Sequence, residues 1–319
     1  MVPYSYDANN RLATVTDWAS RTTAYSYDDN GRLVRTTYPN GTQENRVYDL
    51  SGKLTHIQVL GHSGNVIYGS IRQLDPTGRL MGENITPAPT NFSIPDATMT
   101  FDADNRLNQF NGQSVSFDAD GNLTSGPSPL TLDAIAYSYD PRNRLASAGN
   151  VSYQYNPDGL RTSFSDATVN PNGVPTTFVI DPNAALDRML VRDKGGNTTY
   201  YVYGLGLIGQ EQSGIYQNYH FDARGSTVAM TDANGVVTDR FEYDSYGNSL
   251  SHTGTSDTPF QYNGQFGVQT DPNGLLYMRA RYYNPVIRRF VNQDVLFGNI
   301  NPGISQSGEE GQVEYERRT

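Results

Sequence analysis

A chain of 319 residues with a formal net charge of -10 is long enough for two ordinary domains, and too acidic for nucleic acid to be its main partner, which would need a basic face. It contains no cysteine and no run of about 18 apolar residues, so a disulfide framework, a thiolate metal site and a membrane-spanning helix are all excluded. Tyr reaches 23 copies and Gly 31, and all but Lys53 and Lys194 of the 23 basic residues are Arg, a composition that suits strands joined by tight turns with fixed Arg–Asp pairing.

Met1-Val2-Pro3-Tyr4 enters a strand pattern at once, without the basic and apolar regions of a signal peptide. A start in mid-motif is expected of a fragment of a longer protein. The unit is clearest in Tyr25-Ser26-Tyr27-Asp28-Asp29-Asn30-Gly31-Arg32-Leu33. Aromatics at i and i+2 share one face of a strand. Asn30-Gly31 reads as a two-residue hairpin turn with positive φ at both positions, and Arg32-Leu33 starts the return strand.

The unit recurs, and internal repeats decide the architecture before any other feature. Tyr6-Asp7, Tyr27-Asp28 and Tyr48-Asp49 stand 21 residues apart, each followed by Arg11-Leu12, Arg32-Leu33 or Lys53-Leu54. Looser copies begin at Leu74-Asp75, Phe101-Asp102, Phe117-Asp118, Tyr139-Asp140, Tyr155-Asn156, Phe221-Asp222 and Tyr243-Asp244. Trp18, in the connection Asp17-Trp18-Ala19-Ser20, is expected to pack into a core, with an exposed sugar-stacking platform as the alternative. Pro87-Ala88-Pro89 and Pro95 predict irregular or edge structure, and Val169-Asn170-Pro171-Asn172-Gly173 another break. Thr176–Ile180 and Tyr200–Tyr203 read as strands, and the short window Ala184–Arg192 is the sole helical temptation. The predicted class is all-β.

The pattern Tyr-Asp-x-x-Gly-Arg-Leu resembles the tyrosine-aspartate (YD) repeats of the RHS class over residues 1–298. From His220-Phe221-Asp222-Ala223-Arg224-Gly225 to Arg289-Phe290-Val291-Asn292-Gln293-Asp294 the chain resembles the family's RHS repeat-associated core. The resemblance implies a hairpin strip that spirals into a hollow shell around a toxic C-terminal segment. It divides the chain into hairpin repeats at 1–165, an irregular continuation at 166–218, the core at 219–298 and a charged, disordered tail at 299–319. An array this short is expected to stay an open, curved sheet with exposed edges. The implied partners are a C-terminal toxin or cargo segment, or the rest of a longer RHS chain, at a secreted or cell-surface location.

Chemistry is sparse. Gly204-Leu205-Gly206-Leu207-Ile208-Gly209 fits a dinucleotide fingerprint as text, but strand residues follow where a helix is required. Asp28-Asp29-Asn30-Gly31 and Asp118-Ala119-Asp120-Gly121-Asn122 lack the closing bidentate Glu of a calcium loop. No cofactor or metal is expected. The four histidines are scattered, and His220 reads as packed or hydrogen-bonded. Relatives in the resembled family use a pair of aspartates to cut themselves, two carboxylates sharing one proton to activate water. Residue matching places Asp294 at the first aspartate and Arg281 at its associated arginine, although Val295 stands where the family has proline. The second aspartate, in an Asp-Pro-x-Gly-Leu motif further on, is missing. Asp271-Pro272-Asn273-Gly274-Leu275 matches that motif as text but precedes Arg281, and reads as a hairpin turn. The expectation is a scaffold that does not cleave itself, with Arg281 and Asp294 as a buried ion pair. The alternatives are a carbohydrate- or surface-binding repeat protein and an autoprotease that recruits Asp271.

Overall fold

The computed structural model describes residues 2–90, 96–103, 105–168, 173–184 and 186–293. The first sheet is a meander of eight strands, β1 (Tyr4–Tyr6), β2 (Leu12–Thr16), β3 (Thr22–Tyr27), β4 (Leu33–Thr37), β5 (Gln43–Tyr48), β6 (Leu54–Leu60), β7 (Val66–Leu74) and β8 (Leu80–Thr86). A small sheet holds β9 (Met99–Phe101), β10 (Leu107–Phe110) and β11 (Gln113–Ser114). Fourteen strands then run in sequence order from β12 (Ser116–Phe117) to β25 (Ser249–Thr253). A four-stranded sheet, β26 (Gln269–Thr270), β27 (Leu276–Met278), β28 (Arg281–Asn284) and β29 (Arg289–Phe290), completes it. None of the sheets closes on itself. The window Ala184–Arg192 leads into strand Arg188–Lys194, and a 3₁₀ turn at Gly264–Phe266 is the one helical element among the described residues.

The repeat is explained by its own hydrogen bonds. The Asp28 carboxylate accepts the backbone N–H of Asn30 (3.1 Å) and Arg32 (2.8 Å) through Oδ1, and the Arg32 Nε–H (2.7 Å) through Oδ2. Asp7 and Asp140 repeat the network with Arg11 and Arg144. This corrects the expected two-residue turn. Only Gly31, at φ +79°, has positive φ, because the Asp28 carboxylate holds Asn30 in a right-handed turn and leaves the left-handed position to the last loop residue. Asn10 and Asn143 fill that position in their repeats.

Each aromatic of the motif sits beside a register shift, at Ser5/Tyr6, Ser26/Tyr27, Val47/Tyr48, Ser138/Tyr139, Gln154/Tyr155 and Glu242/Tyr243. A bulge bends its strand and raises local twist, so one bulge per repeat curves the strip. Neighbouring repeats are clipped together. The Tyr27 hydroxyl donates to the Leu12 carbonyl (2.8 Å) and the Arg11 guanidinium lies 4.5 Å from the Tyr27 ring. Tyr48 does the same with Leu33 (2.9 Å) and Arg32 (4.8 Å), and Tyr155 with Leu145 (2.8 Å) and Arg144 (4.8 Å).

Buried clusters fold the strip onto itself, one of them joining Ile57, Val59, Ile67 and Tyr68 of the first sheet to Ala229 of the third. Leu12, Val15, Tyr25 and Tyr38 of the first sheet share a buried cluster with Val202, Ile208 and Tyr216 of the third. The glycines at 204 and 209 belong to this contact, since a Cβ on Gly204 would collide with the Tyr25 hydroxyl and one on Gly209 with that of Tyr216. The dinucleotide-like motif is therefore a hairpin with close backbone approach. Phe260 packs among Tyr201, Tyr203, Tyr219, Phe221 and Phe241. Leu275, Tyr277, Tyr282, Ile287 and Val291 of the C-terminal segment cover Leu123, Tyr137, Leu145 and Tyr153 of the strip. Trp18 departs from its expected place in a core: it is 41% exposed, edge-on to Tyr200 at 5.8 Å, and donates to Glu211 across the junction of the sheets. A ring on a turn at a seam, with a polar N–H to satisfy, is held at its rim.

Candidate functional site

Arg281 opens β28 half-buried, with its guanidinium 3.7 Å from the Phe290 ring. Asp294 lies outside the described residues, as does the tail at 299–319. The chain leading to Asp294 is anchored. The Val291 carbonyl accepts the Leu123 N–H (2.8 Å) and the Tyr139 hydroxyl (2.7 Å), and Asn122 accepts the Gln293 N–H (3.2 Å).

Asp271 stands at the turn expected of it, with the Gly274 N–H donating to its carbonyl (2.8 Å). Its side chain does something the sequence reading missed. Oδ2 accepts from Arg161 Nη1 at 2.5 Å, both side chains being 1% exposed. Arg161 Nη2 also donates to Gln269 Oε1 (2.6 Å), and Nη1 to the Tyr282 hydroxyl (3.2 Å). The rings of Tyr153, Phe164, Phe178, Tyr277 and Tyr282 surround the guanidinium, with Tyr277 nearest at 4.0 Å. Burial pushes the Asp271 carboxyl up, and the adjoining Arg161 charge opposes it. Arg161 keeps its proton, as guanidinium does in proteins. The carboxylate is thus spent on a cation rather than poised against a second acid.

The signal for Arg161 was present in the text. Other repeats read Arg144-Leu145 where this one reads Leu160-Arg161. Alternate strand positions face opposite ways, so the inversion puts Arg161 where the buried Leu145 and Leu123 stand in their repeats. An arginine placed inward needs a buried anion, and Asp271, 110 residues on, supplies it.

Beside the pair is a cleft of about 270 Å³ lined by Phe164, Phe178, Arg192, Lys194, Asp257 and Gln269, among others. Asp257 accepts from Arg192 (3.0 Å) and Lys194 (3.0 Å) there. His220 is fully buried, with Nε2 2.9 Å from Thr231 Oγ1 and Tyr38 edge-on at 4.9 Å. Burial lowers it to about 3, so it is a neutral packed residue. His252 contacts Asp239 (3.0 Å), but the Ser256 hydroxyl donates to the same aspartate, so Ser256 is not the serine of a Ser-His-Asp relay here.

The family model described as RHS Repeat matches residues 4–43. A tRNA3(Ser)-specific nuclease WapA of Bacillus spizizenii is 28% identical over 217 residues, 66% of this chain and 9% of that protein. The putative uncharacterized protein YibJ of Escherichia coli (strain K12) is 36% identical over 80 residues, 24% of this chain and 33% of that protein. The crystal structure of TcdB2-TccC3-Cdc42 superposes over 92% of this chain and 19% of its own, with a TM-score of 0.64 at 15% identity. The chain is an RHS-type YD-repeat protein. It spans under a tenth of the nuclease relative's length. In this RHS chain the family's hairpin meander is the fold, and the Arg161–Asp271 pair joins the meander to the segment that follows it.

Proposed function

We propose that this chain is a wall module of an RHS-type toxin or cell-surface shell, and that its action is physical: it encloses a C-terminal cargo segment. The reading rests above all on the C-terminal segment, residues 269–291, lying back against the strip and burying Leu275, Tyr277 and Tyr282 there. The Gln293 N–H, at the end of the described residues, still donates to Asn122 of the strip. The superposition on the TcdB2-TccC3 structure supports the wall architecture. The wall belongs at a secreted or cell-surface location, and residues 219–298 act as its core segment. A protease-sensitive reporter peptide fused after Thr319 should be cut at least tenfold more slowly than the same peptide fused at the N-terminus. Equal rates would remove the enclosing role.

Self-cleavage is not part of this proposal, because Asp271, whose Asp-Pro-x-Gly-Leu pattern fits the family's second aspartate as text, is committed to Arg161. Intact mass is expected to persist for days at neutral and mildly acidic pH, in the parent and in Asp294→Asn alike. A cut in the parent that disappears in the variant would restore the autoprotease. The carbohydrate-binding alternative draws on exposed Trp18 and Tyr200. Of the other described tyrosines only Tyr4, Tyr6 and Tyr246 are exposed, the rest being buried or partly buried, which favours the wall.

A further inference from the structure

The cleft beside the Arg161–Asp271 pair is built by strand register. Phe164 lies opposite Thr176, Thr176 opposite Lys194, and Phe178 opposite Arg192. Side chains two apart share a face of a strand. Phe164, Thr176, Phe178, Arg192 and Lys194 therefore form one patch across β17 (Arg161–Asp166), β18 (Thr176–Asp181) and β19 (Arg188–Lys194). A crossing segment closes one end. The Asp239 carboxylate accepts the Ser256 N–H (2.9 Å), and the Asp257 carbonyl next to it accepts from Arg192 Nη2 (2.6 Å). The Asp257 carboxylate is thereby held across both cations, 3.0 Å from Arg192 and 3.0 Å from Lys194.

The charges there do not balance. Asp271 is engaged by Arg161, which leaves Asp257 as the one acid of the described lining against Arg192 and Lys194. The Arg192 side chain is 6% exposed, a setting in which an excess cation favours a further anion. Donors are also left over. The Lys194 ammonium has N–H groups beyond the one given to Asp257. Arg192 Nε and Thr270 Oγ1, buried atoms on two lining side chains, have no partner among the described residues, whereas buried polar groups are nearly always paired. Beside them Phe164 and Phe178, with centroids 5.8 Å apart and planes tilted by 49°, supply an apolar wall. Apolar surface with a few placed polar groups is the composition of a small-ligand pocket, and about 270 Å³ is at the small end of that class.

We propose that this cleft binds a monocarboxylate carried on a single six-membered ring. The carboxylate joins Asp257 on Lys194 and Arg192, and the ring lies on Phe164 and Phe178. One negative charge matches the excess of one cation, and one ring matches the volume. An aryl ring and the C–H face of a sugar both present apolar surface to phenylalanine, so aryl acids and acidic sugars are the two sources of this chemistry. The binding goes beyond the wall reading and does not depend on it.

Isothermal titration calorimetry of the intact chain at low ionic strength tests this, with phenylacetate and glucuronate as the two probes. At least one is expected to bind with a Kd of about 1 mM or tighter, the affinity of a compact ligand. Its uncharged counterpart, phenylacetamide or glucose, should bind about tenfold more weakly, because it lacks the charge-assisted hydrogen bonds. Acetate, with the charge and no ring, should also be about tenfold weaker. Lys194→Met should cost about tenfold in affinity, and because this side chain is 49% exposed the Tm and circular dichroism should stay at parental values. Asp257→Asn should act with the opposite sign, tightening binding about threefold by removing the resident negative charge. Phenylacetate alone would assign the cleft to aryl acids, and glucuronate alone to acidic sugars. Binding of neither probe by about 10 mM overturns the proposal. So does an uncharged counterpart that binds as tightly, or a Lys194→Met variant with parental affinity. Acetate binding as tightly as either probe would leave an adventitious ion only, and would equally overturn it.

Discussion

Asp28–Arg32 and Asp271–Arg161 use the same two side chains for opposite purposes. The first pair lies four residues apart at a turn, 23% and 29% exposed, and its carboxylate is shared with two backbone N–H groups. The second spans 110 residues, is 1% exposed on both sides, and sits inside five aromatic rings. Water screens the exposed pair, so its value is geometric: it sets the turn and presents the arginine to the next tyrosine. In the buried pair each charge has become a condition for the other's burial, which ties the C-terminal segment to the strip.

The largest test of that contrast removes one partner of the buried pair. Asp271→Ala leaves the Arg161 charge uncompensated, and a loss of about 3–5 kcal/mol is expected. Exchange of the β26–β28 amides should accelerate before that of the first sheet. Replacing both, as Arg161→Met with Asp271→Leu, should recover much of the loss, since a well-packed apolar pair avoids desolvating two charges. If the single change costs no more than a surface pair, the latch is not what holds the segment down.

The strip itself was legible, because its information is local and repeated. Tyr-Asp and Arg-Leu at fixed spacing specified strands and turns, whereas Arg161, standing where other copies have leucine, was not read for the buried anion it requires. The latch was not read, since nothing in Asp271-Pro272-Asn273-Gly274-Leu275 says that its first carboxylate will meet an arginine 110 residues earlier. The turn was right and the side chain's partner unseen. The turn type was also read too simply, because the Asp28 carboxylate, which decides the φ of Asn30, lies outside the two residues that signal a hairpin. Trp18 was expected in a core, whereas its indole N–H and its turn position put it at a seam.

A second test uses pH to separate buried from exposed groups. His220 titrates at about 3 in the folded chain because of burial, against 6.5 ordinarily. A depressed histidine contributes its full stability above pH 6.5 and loses it as the pH falls towards 3. The slope is about 1.4 kcal/mol per pH unit, so urea unfolding at pH 5 should show about 2 kcal/mol less stability than at pH 7. His220→Gln should flatten that slope. The turn aspartates act in a lower window. The Arg32 backbone N–H foremost, then the Arg32 side chain, holds Asp28 below 3.8 against the opposing effect of burial. Its contribution is present above 3.8 and is lost only as the pH drops through the lowered folded value. Asp28→Asn should leave the change between pH 7 and 5 intact and reduce the further loss below 3.8.

The smallest expected effects belong to the clip, and they decide whether the repeats act singly or together. Tyr27→Phe keeps the ring under Arg11 and removes only the hydroxyl that bonds the Leu12 carbonyl, a cost of about 0.5–1.5 kcal/mol. Tyr48→Phe removes the equivalent bond to Leu33 one repeat later. Arg32 lies between them: its Nε belongs to the Asp28 turn and its guanidinium covers Tyr48. If each clip is local, the double variant should lose the sum of the single losses within about 0.5 kcal/mol. A larger loss would mean that the shared arginine couples neighbouring repeats. The strip would then unfold as one unit along its length, as nearest-neighbour interfaces in a repeat array allow. Chemical denaturation of the four proteins in this cycle distinguishes the two, and additivity would confine the exposed pairs to their own turns.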